Sequence, residues 1–327
     1  MIRGYIVKRL IIAFITLWVV VTLNFMIFRV LVGGNPADLI IDPKMPKSVR
    51  DSLKSLWGLD KPLFPDQYVT YLINLFTWNY GNQFDETSSP IAPEMAWRLR
   101  NTVILLGSAT VGTIAVGIPI GMFAAQRRGK KADVAVMTVG LFTYGVPTFF
   151  VQLIWVAIFC NWLGILPRAR LVSSPPPADP LSLAIDIMKH AISPVLTLII
   201  AGFGSWALYT RNMMIDALTE DFILTARAKG LPERDVIYKH AFRSILPPIV
   251  TMIALSVPGI VTGAVITETI FAWPGIGQWY IRSLLGANWP VAQAVLYNYA
   301  FLMILANLVA DLAYGFLDPR IRIGVRR

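Results

Sequence analysis

The sequence predicts an all-α membrane protein with six spanning helices, and three observations carry that expectation. Of the 327 residues, 56% are hydrophobic and only 15% are charged, against about a quarter charged in soluble domains. Six stretches run for about 20 residues or more without a charged side chain, the length a helix needs to cross a bilayer. Basic residues cluster between alternate stretches, the pattern expected of loops on one side of a membrane. A soluble globule of this size could not bury six fully apolar helices without exposing large patches.

The apolar stretches are 10–28, 101–126, 134–163, 191–210, 245–267 and 291–310. The second contains Gly112, Gly117, Pro119 and Gly121. The third is read as one span around Tyr144-Gly145-Val146-Pro147, with Pro147, like Pro119 and Pro194, expected to loosen or kink its helix. Arg3, Lys8 and Arg9 ahead of the first run could belong to a signal peptide. That run is longer than a typical signal core and lacks a small-residue cleavage site, which favours a retained helix.

Six spans put both termini on one side. Lys and Arg concentrate at 3–9, 127–131, 211–243 and 320–327, whereas the other short loops offer only Arg168, Arg170, Lys189 and Arg282. The rule that basic loops stay inside makes both termini cytoplasmic in a cell membrane. The net charge of +10 is then mostly topological rather than a sign of nucleic-acid binding. Cys160 is the single cysteine, so no intrachain disulfide can form. His190 and His240 fall on opposite sides in this topology, which leaves no histidine pair for a metal.

Three divisions follow: a first span with an external cap, 1–97; a core of five spans, 98–317; and a basic tail, 318–327. In the cap, the proline-rich segment 35–94 is expected to be mostly helical, with amphipathic pieces at 49–57 and 67–78. A second outer loop holds Ser173-Ser174-Pro175-Pro176-Pro177, which favours an extended path.

The loop 211–244 is too long for a plain turn between neighbouring helices. Good helix formers over 222–229 precede Gly230, a natural residue for the position after a helix end, and Pro232 follows closely. The expectation is helix, stop, helix. Ala226, Ala228 and Gly230 are small enough to let a partner approach the backbone, inside a rim of Asp221, Arg227, Lys229, Glu233, Arg234 and Asp235. On physics alone, a docking element and a solvated loop with ordinary caps stand level.

Resemblance decides between them. Thr225-Ala226-Arg227-Ala228-Lys229-Gly230-Leu231, with His240-Ala241-Phe242-Arg243 and Leu246-Pro247, resembles the EAA loop of ABC importer permeases. Leu224 and Thr225 stand where the general consensus has Glu and Ala, and the spacing from Gly230 to Leu246-Pro247 is longer. Gly34-Asn35-Pro36-Ala37-Asp38, Phe271-Ala272-Trp273-Pro274-Gly275-Ile276-Gly277 and Leu317-Asp318-Pro319-Arg320-Ile321-Arg322 are similar to segments of the first permease of dipeptide and oligopeptide importers.

The resemblance implies a type I ABC importer permease fold. It implies three kinds of partner besides lipid: a homologous second permease, two cytoplasmic ATP-binding subunits and an external solute-binding protein. It also implies that Asp221, Thr225, Ala226, Arg227, Ala228, Lys229, Gly230, Leu231, Glu233 and Arg234 couple to the ATPase. ATP and Mg would be held by the partner subunits, with no cofactor, metal or catalytic residue in this chain. The solute would be a peptide, an oligosaccharide or a nickel complex.

The residues themselves agree that chemistry lies elsewhere. Nothing fits G-x-x-x-x-G-K-[ST], so no phosphate-cradling loop is present. No nucleophile and base come together in the pattern. Arg29, Glu268 and Asp311 lie near span ends and are read as paired or anchoring groups that reach water or headgroups. An ion-coupled carrier would need ionisable groups near the bilayer midplane, which is bare. Pro258, Gly259, Thr262 and Gly263 loosen the fifth span, which continues from the 211–244 loop and is expected to line part of the translocation pathway.

Overall fold

The computed structural model describes residues 2–31, 46–48, 61–83, 89–261 and 263–317. Helix α1 (Ile2–Met26) ends in a π-helical turn, Ile27–Leu31, and α2 (Tyr68–Phe76) follows in the cap. The core begins with α3 (Ile91–Ala125) and α4 (Lys131–Gly145). It continues through α5 (Thr148–Trp155), prolonged by Val156–Trp162, to α6 (Pro180–Leu218). Then come α7 (Asp221–Ala228), α8 (Glu233–Asp235), α9 (Phe242–Val261), α10 (Val265–Ile270), α11 (Ile276–Leu285) and α12 (Trp289–Leu317). Among the described residues the β-structure is one isolated bridge, Asn82 to Pro90.

Among the described residues, five helices are long and apolar enough to cross a membrane, and six when α4 and α5 count as one broken span. The third span corrects the single run expected over 134–163 in degree: the kink expected at Pro147 is a full break, whose halves meet at 96°. Pro147 causes the break. Its ring disfavours helical backbone at the residue before it, and Val146 is extended at φ −81°, ψ 128°.

The fifth span is a second correction. It was expected to reach 267, but α9 stops at Val261, Gly263 turns at φ +80°, and α10 restarts as a separate short helix. Thr262 lies outside the described residues, as do 49–57 of the cap and the tail 318–327.

Several helices run past their apolar windows. The 39 residues of α6 span roughly 58 Å at 1.5 Å per residue, well beyond a hydrocarbon core of about 30 Å. Its start is fixed locally: Asp179 accepts hydrogen bonds from the Leu181 and Ser182 amides, and Pro180 occupies the first turn. Residues 173–177 are non-helical, as the prolines require.

The start of α1 and the end of α12 lie together, joined by Arg9 and Asp311 at 2.7 Å. This edge of the bundle is the terminal face. On the opposite, far face, Ile91 and Met95 of α3 pack with Ile276, Trp279, Val291 and Val295. The cap helix α2 buries Tyr71 and Leu75 against Val21, Phe25 and Tyr297, which ties the cap to the first and last spans.

The tightest seam joins α3 to α6. A side chain at Gly117 would meet the Phe203 carbonyl at 2.9 Å, and one at Gly121 would meet Thr210 Cβ at 2.7 Å and the Arg211 nitrogen at 3.0 Å. Two backbones can approach this closely only where a Cβ is missing, which is how small residues drive packing in lipid. Gly204 of α6 and Gly140 of α4 repeat the arrangement on the other side of α6.

Candidate functional site

The loop 211–244 folds as helix, stop, helix on the terminal face. α7 ends at Ala228, Gly230 takes φ +74°, and α8 begins after Pro232. At that φ an L-side chain is strained, so glycine is required by the backbone. The surroundings do not require it, because a Cβ there would meet nothing within 4 Å.

The element is seated rather than suspended. Ile223 and Ala226, one helical turn apart, are buried with Met122 and Ala125 of α3, Met214 and Ala217 of α6, and Val236, Ile237 and Ala241 beyond α8. This overturns one reading of Ala226: it faces the protein's own core and cannot receive a partner. The outward side carries Phe222, Leu224, Thr225, Ala228, Lys229 and Leu231. Leu224 is 58% exposed and Tyr238, just beyond α8, is 54% exposed, unusual for large apolar groups at the end of an otherwise charged loop.

The remaining loop residues form the rim. Asp221 and Arg234 are exposed. Arg227 donates to Glu233 from Nη2 at 2.7 Å and Nε at 3.2 Å, which closes the gap between α7 and α8. That bond raises the Arg227 pKa above its ordinary value. Both side chains are well exposed, so the pair contributes at most about 1 kcal/mol. Beside it, a cleft of about 510 Å³ is lined by Arg127, Arg128 and Lys130 from the α3–α4 turn and by Thr219, Arg227 and Glu233.

Two charged groups that sequence reasoning underrated prove central. Arg211 on α6 grips Asp133 on α4 with a two-pronged bond, Nε to Oδ1 at 2.6 Å and Nη2 to Oδ2 at 2.8 Å. Asp133 is nearly inaccessible and also accepts the Gly129 amide at 2.9 Å. In the sequence Arg211 counted only as one more inside charge, and nothing local pairs residues 78 positions apart.

Glu268 is the second. It was expected near water or headgroups, but it is 0% exposed, inside a cage on the far face. Its carboxylate accepts from Thr102 Oγ1 at 2.8 Å, the Gln278 amide at 2.7 Å and the Ala264 amide at 3.3 Å. Gly275 makes the room, since a Cβ there would collide with the carboxylate. Trp273 Nε1 donates to the Asn101 carbonyl, and Asn101 Nδ2 donates to Pro274. Gln152 of α5 donates to Thr267. The segment 263–278 is thereby fastened to the third and fifth helices.

Of the residues expected along the pathway, Pro258 is buried, Gly259 is exposed and Gly263 is half-buried. Arg29 is half-buried near Tyr71, and Asp311 is paired with Arg9. Among the described residues, no three His, Cys, Asp or Glu side chains are placed to hold a metal ion. Cys160 is buried as a free thiol.

A bundle of five to six spanning helices, with one loop folded into a seated helical element, defines an integral multi-pass membrane protein. Residues 117–323 match the family described as binding-protein-dependent transport system inner membrane component, and residues 1–106 match its N-terminal counterpart. The chain is 31% identical over 318 residues to the oligopeptide transport system permease protein AppB of Bacillus subtilis, covering 97% of this chain and 99% of the relative. It is 35% identical over 338 residues to the di/tripeptide transport system permease protein DppB of Pseudomonas aeruginosa, covering 98% of each. Against the glutathione transport system permease protein GsiC of Escherichia coli K12 it is 32% identical over 319 residues, covering 98% of this chain and 99% of the relative. The chain belongs to the binding-protein-dependent transport family: it is an inner-membrane permease subunit of an ABC importer and the non-catalytic part of that machine.

Proposed function

We propose that the terminal face is cytoplasmic and that α7 is the helix through which a partner ATPase drives this permease. The observation that supports this reading is the two-sidedness of α7. Its inner side is packed into the ends of α3, α6 and α9, while its outer side leaves Phe222, Leu224 and Ala228 uncovered. A helix held rigidly from behind and bare in front transmits a push without absorbing it. The basic clusters at 3–9, 127–131 and 211–243 favour the same orientation.

In the assembled importer this subunit pairs with a homologous second permease. Two cytoplasmic subunits bind ATP and Mg and hydrolyse the fuel, and an external binding protein delivers the solute to the far face. Pro258 and Gly259 near the end of the fifth span, with Gly263 at the turn beyond it, line part of the pathway. The solute is a peptide; two of the relatives above are named for oligopeptides and di/tripeptides.

The test uses the complete importer in proteoliposomes. Ala228→Trp places bulk on the exposed side of α7 and should cut solute moved per ATP by about tenfold, the equivalent of 1.4 kcal/mol at the contact. Unaltered stoichiometry would reject the docking reading. Melting of the cognate binding protein against peptides, oligosaccharides and nickel complexes decides the solute, because a ligand stabilises the form it binds.

A further inference from the structure

We infer that the Asp133–Arg211 fork is the positioning pair that sets the angle of the coupling helix α7, and that the importer needs its two-pronged geometry rather than its charge alone. The inference rests on the reading of α7 above and goes beyond it by locating what holds that helix in register.

Three observations converge on the fork. It lies on the one strut that leads into α7: from Arg211 to the end of α6 at Leu218 is about 10 Å of helix. The connection from α6 to α7 has no slack. Thr219 and Glu220 are the whole of it, and the Glu220 amide bonds to Ala217 while the Ile223 amide bonds back to Glu220. A change in the rotation of α6 therefore arrives at α7 undiminished.

The fork also ties three elements at one point. Asp133 Oδ1 and Oδ2 take Arg211, and Oδ2 additionally takes the Gly129 amide of the turn between α3 and α4. Directly beside it, the backbone of α6 at Arg211 passes so close to Gly121 that a Cβ would stand 3.0 Å from the Arg211 nitrogen. Glycine contact fixes how near α6 lies to α3; the fork adds a directional constraint on the rotation of α6 about its axis. Two parallel N–H···O bonds from a planar guanidinium define a plane and resist that rotation.

Adhesion alone does not explain the pair. Both side chains are largely withdrawn from water, and apolar residues of similar volume commonly hold a buried interface as firmly as an ion pair does. What a fork supplies and an apolar contact does not is a single permitted angle. Further back along α6 the contact with α4 is made through Gly140 and Gly204 instead; the charged contact between these two helices stands toward the end that carries α7.

The test measures ATP hydrolysis and solute uptake together, in the complete importer reconstituted in proteoliposomes. Arg211→Lys keeps the charge and loses the fork. It should lower solute per ATP by about fivefold while hydrolysis and assembly stay at wild-type levels. A wild-type ratio in Arg211→Lys would overturn the inference, and so would a parallel fall of uptake and hydrolysis, which would mark the pair as structural only. Ala228→Trp in the same vesicles separates this from the reading beneath it. If Ala228→Trp uncouples and Arg211→Lys does not, the fork fails alone; if Ala228→Trp changes nothing, the docking role of α7 fails.

Discussion

The helices on either side of the coupling element are held in opposite ways. α6, which leads into α7, lies in backbone contact with α3 at Gly117 and Gly121 and with α4 at Gly140 and Gly204, and is pinned at its end by Asp133. α9, which leads away from α8, carries Pro247, Pro248 and Pro258 within one helix and breaks after Val261. α3 and α6 contain Pro119 and Pro194, yet each runs unbroken for 35 and 39 residues. A displacement of α7 therefore meets stiff resistance along α6 and much less along α9. On the proposed reading of α7 as the driven helix, this contrast assigns to α9 the passage of motion into the membrane, between the apolar cluster under α7 and the Glu268 cage.

The largest effect is expected at the stiff seam. Gly121→Leu would drive a side chain into the Ala207 carbonyl and Thr210. Because backbone cannot give way as a flexible side chain can, the cost should exceed about 3 kcal/mol. Thermal unfolding of the purified importer in detergent measures it. The counterpart on the compliant side is Gly259→Leu, where an added Cβ would meet nothing within 4 Å beyond its own stretch of helix; a change within about 0.5 kcal/mol is expected. Equal losses would abolish the distinction between the two helices.

Next in size is the far anchor of α9. Glu268→Ala leaves the Gln278 amide and the Thr102 hydroxyl without their acceptor in a dry site, a cost of about 2–3 kcal/mol. The same assay should show it. If the importer melts normally, 263–278 is held by its other contacts, such as Trp273 to Asn101 and Gln152 to Thr267, and the Glu268 carboxylate is not the anchor.

The backbone at Gly230 comes third. Gly230→Val forces a branched side chain into φ +74°, which costs about 1–2 kcal/mol. The chain would relieve this by shifting α8 relative to α7, so solute per ATP should fall while melting changes little. A normal ratio would show that the turn between the two helices is not part of the transmission.

What the sequence disclosed and what it hid divide along a physical line. Lipid forces every spanning backbone to satisfy its own hydrogen bonds, so the six apolar runs announced six passages. The helix, stop, helix of 221–235 was legible for a similar reason, because glycine and proline act on the residues next to them. Hydropathy sums composition and is blind to the path of the backbone, so it passed over the bend at Val146 and the break after Val261. Contacts between distant positions were invisible: Thr102 meets Glu268 across 166 residues and Arg211 meets Asp133 across 78. Ala226 was misjudged because a small residue fits equally under a partner or under the helix's own core. The apolar Ile223 three positions before it was the available signal for the latter.

The smallest expected change in stability tests the compliant helix most directly. Pro258 has no N–H to donate to the carbonyl one turn earlier, and its ring crowds that turn, the usual cause of compliance in a helix. In Pro258→Ala that bond can form. The gain offsets the packing lost by a buried ring, so stability should stay within about 1 kcal/mol of wild type. Transport should not: a straighter, stiffer α9 resists the displacement passed on by α7, and uptake should slow while ATP hydrolysis continues. Pro194→Ala makes the matching change in α6, where the proline is also buried but the helix is already clamped on two sides. Its uptake should remain normal. Equal slowing by both variants would mean that compliance is spread through the bundle, and that the fifth span holds no special place in the stroke.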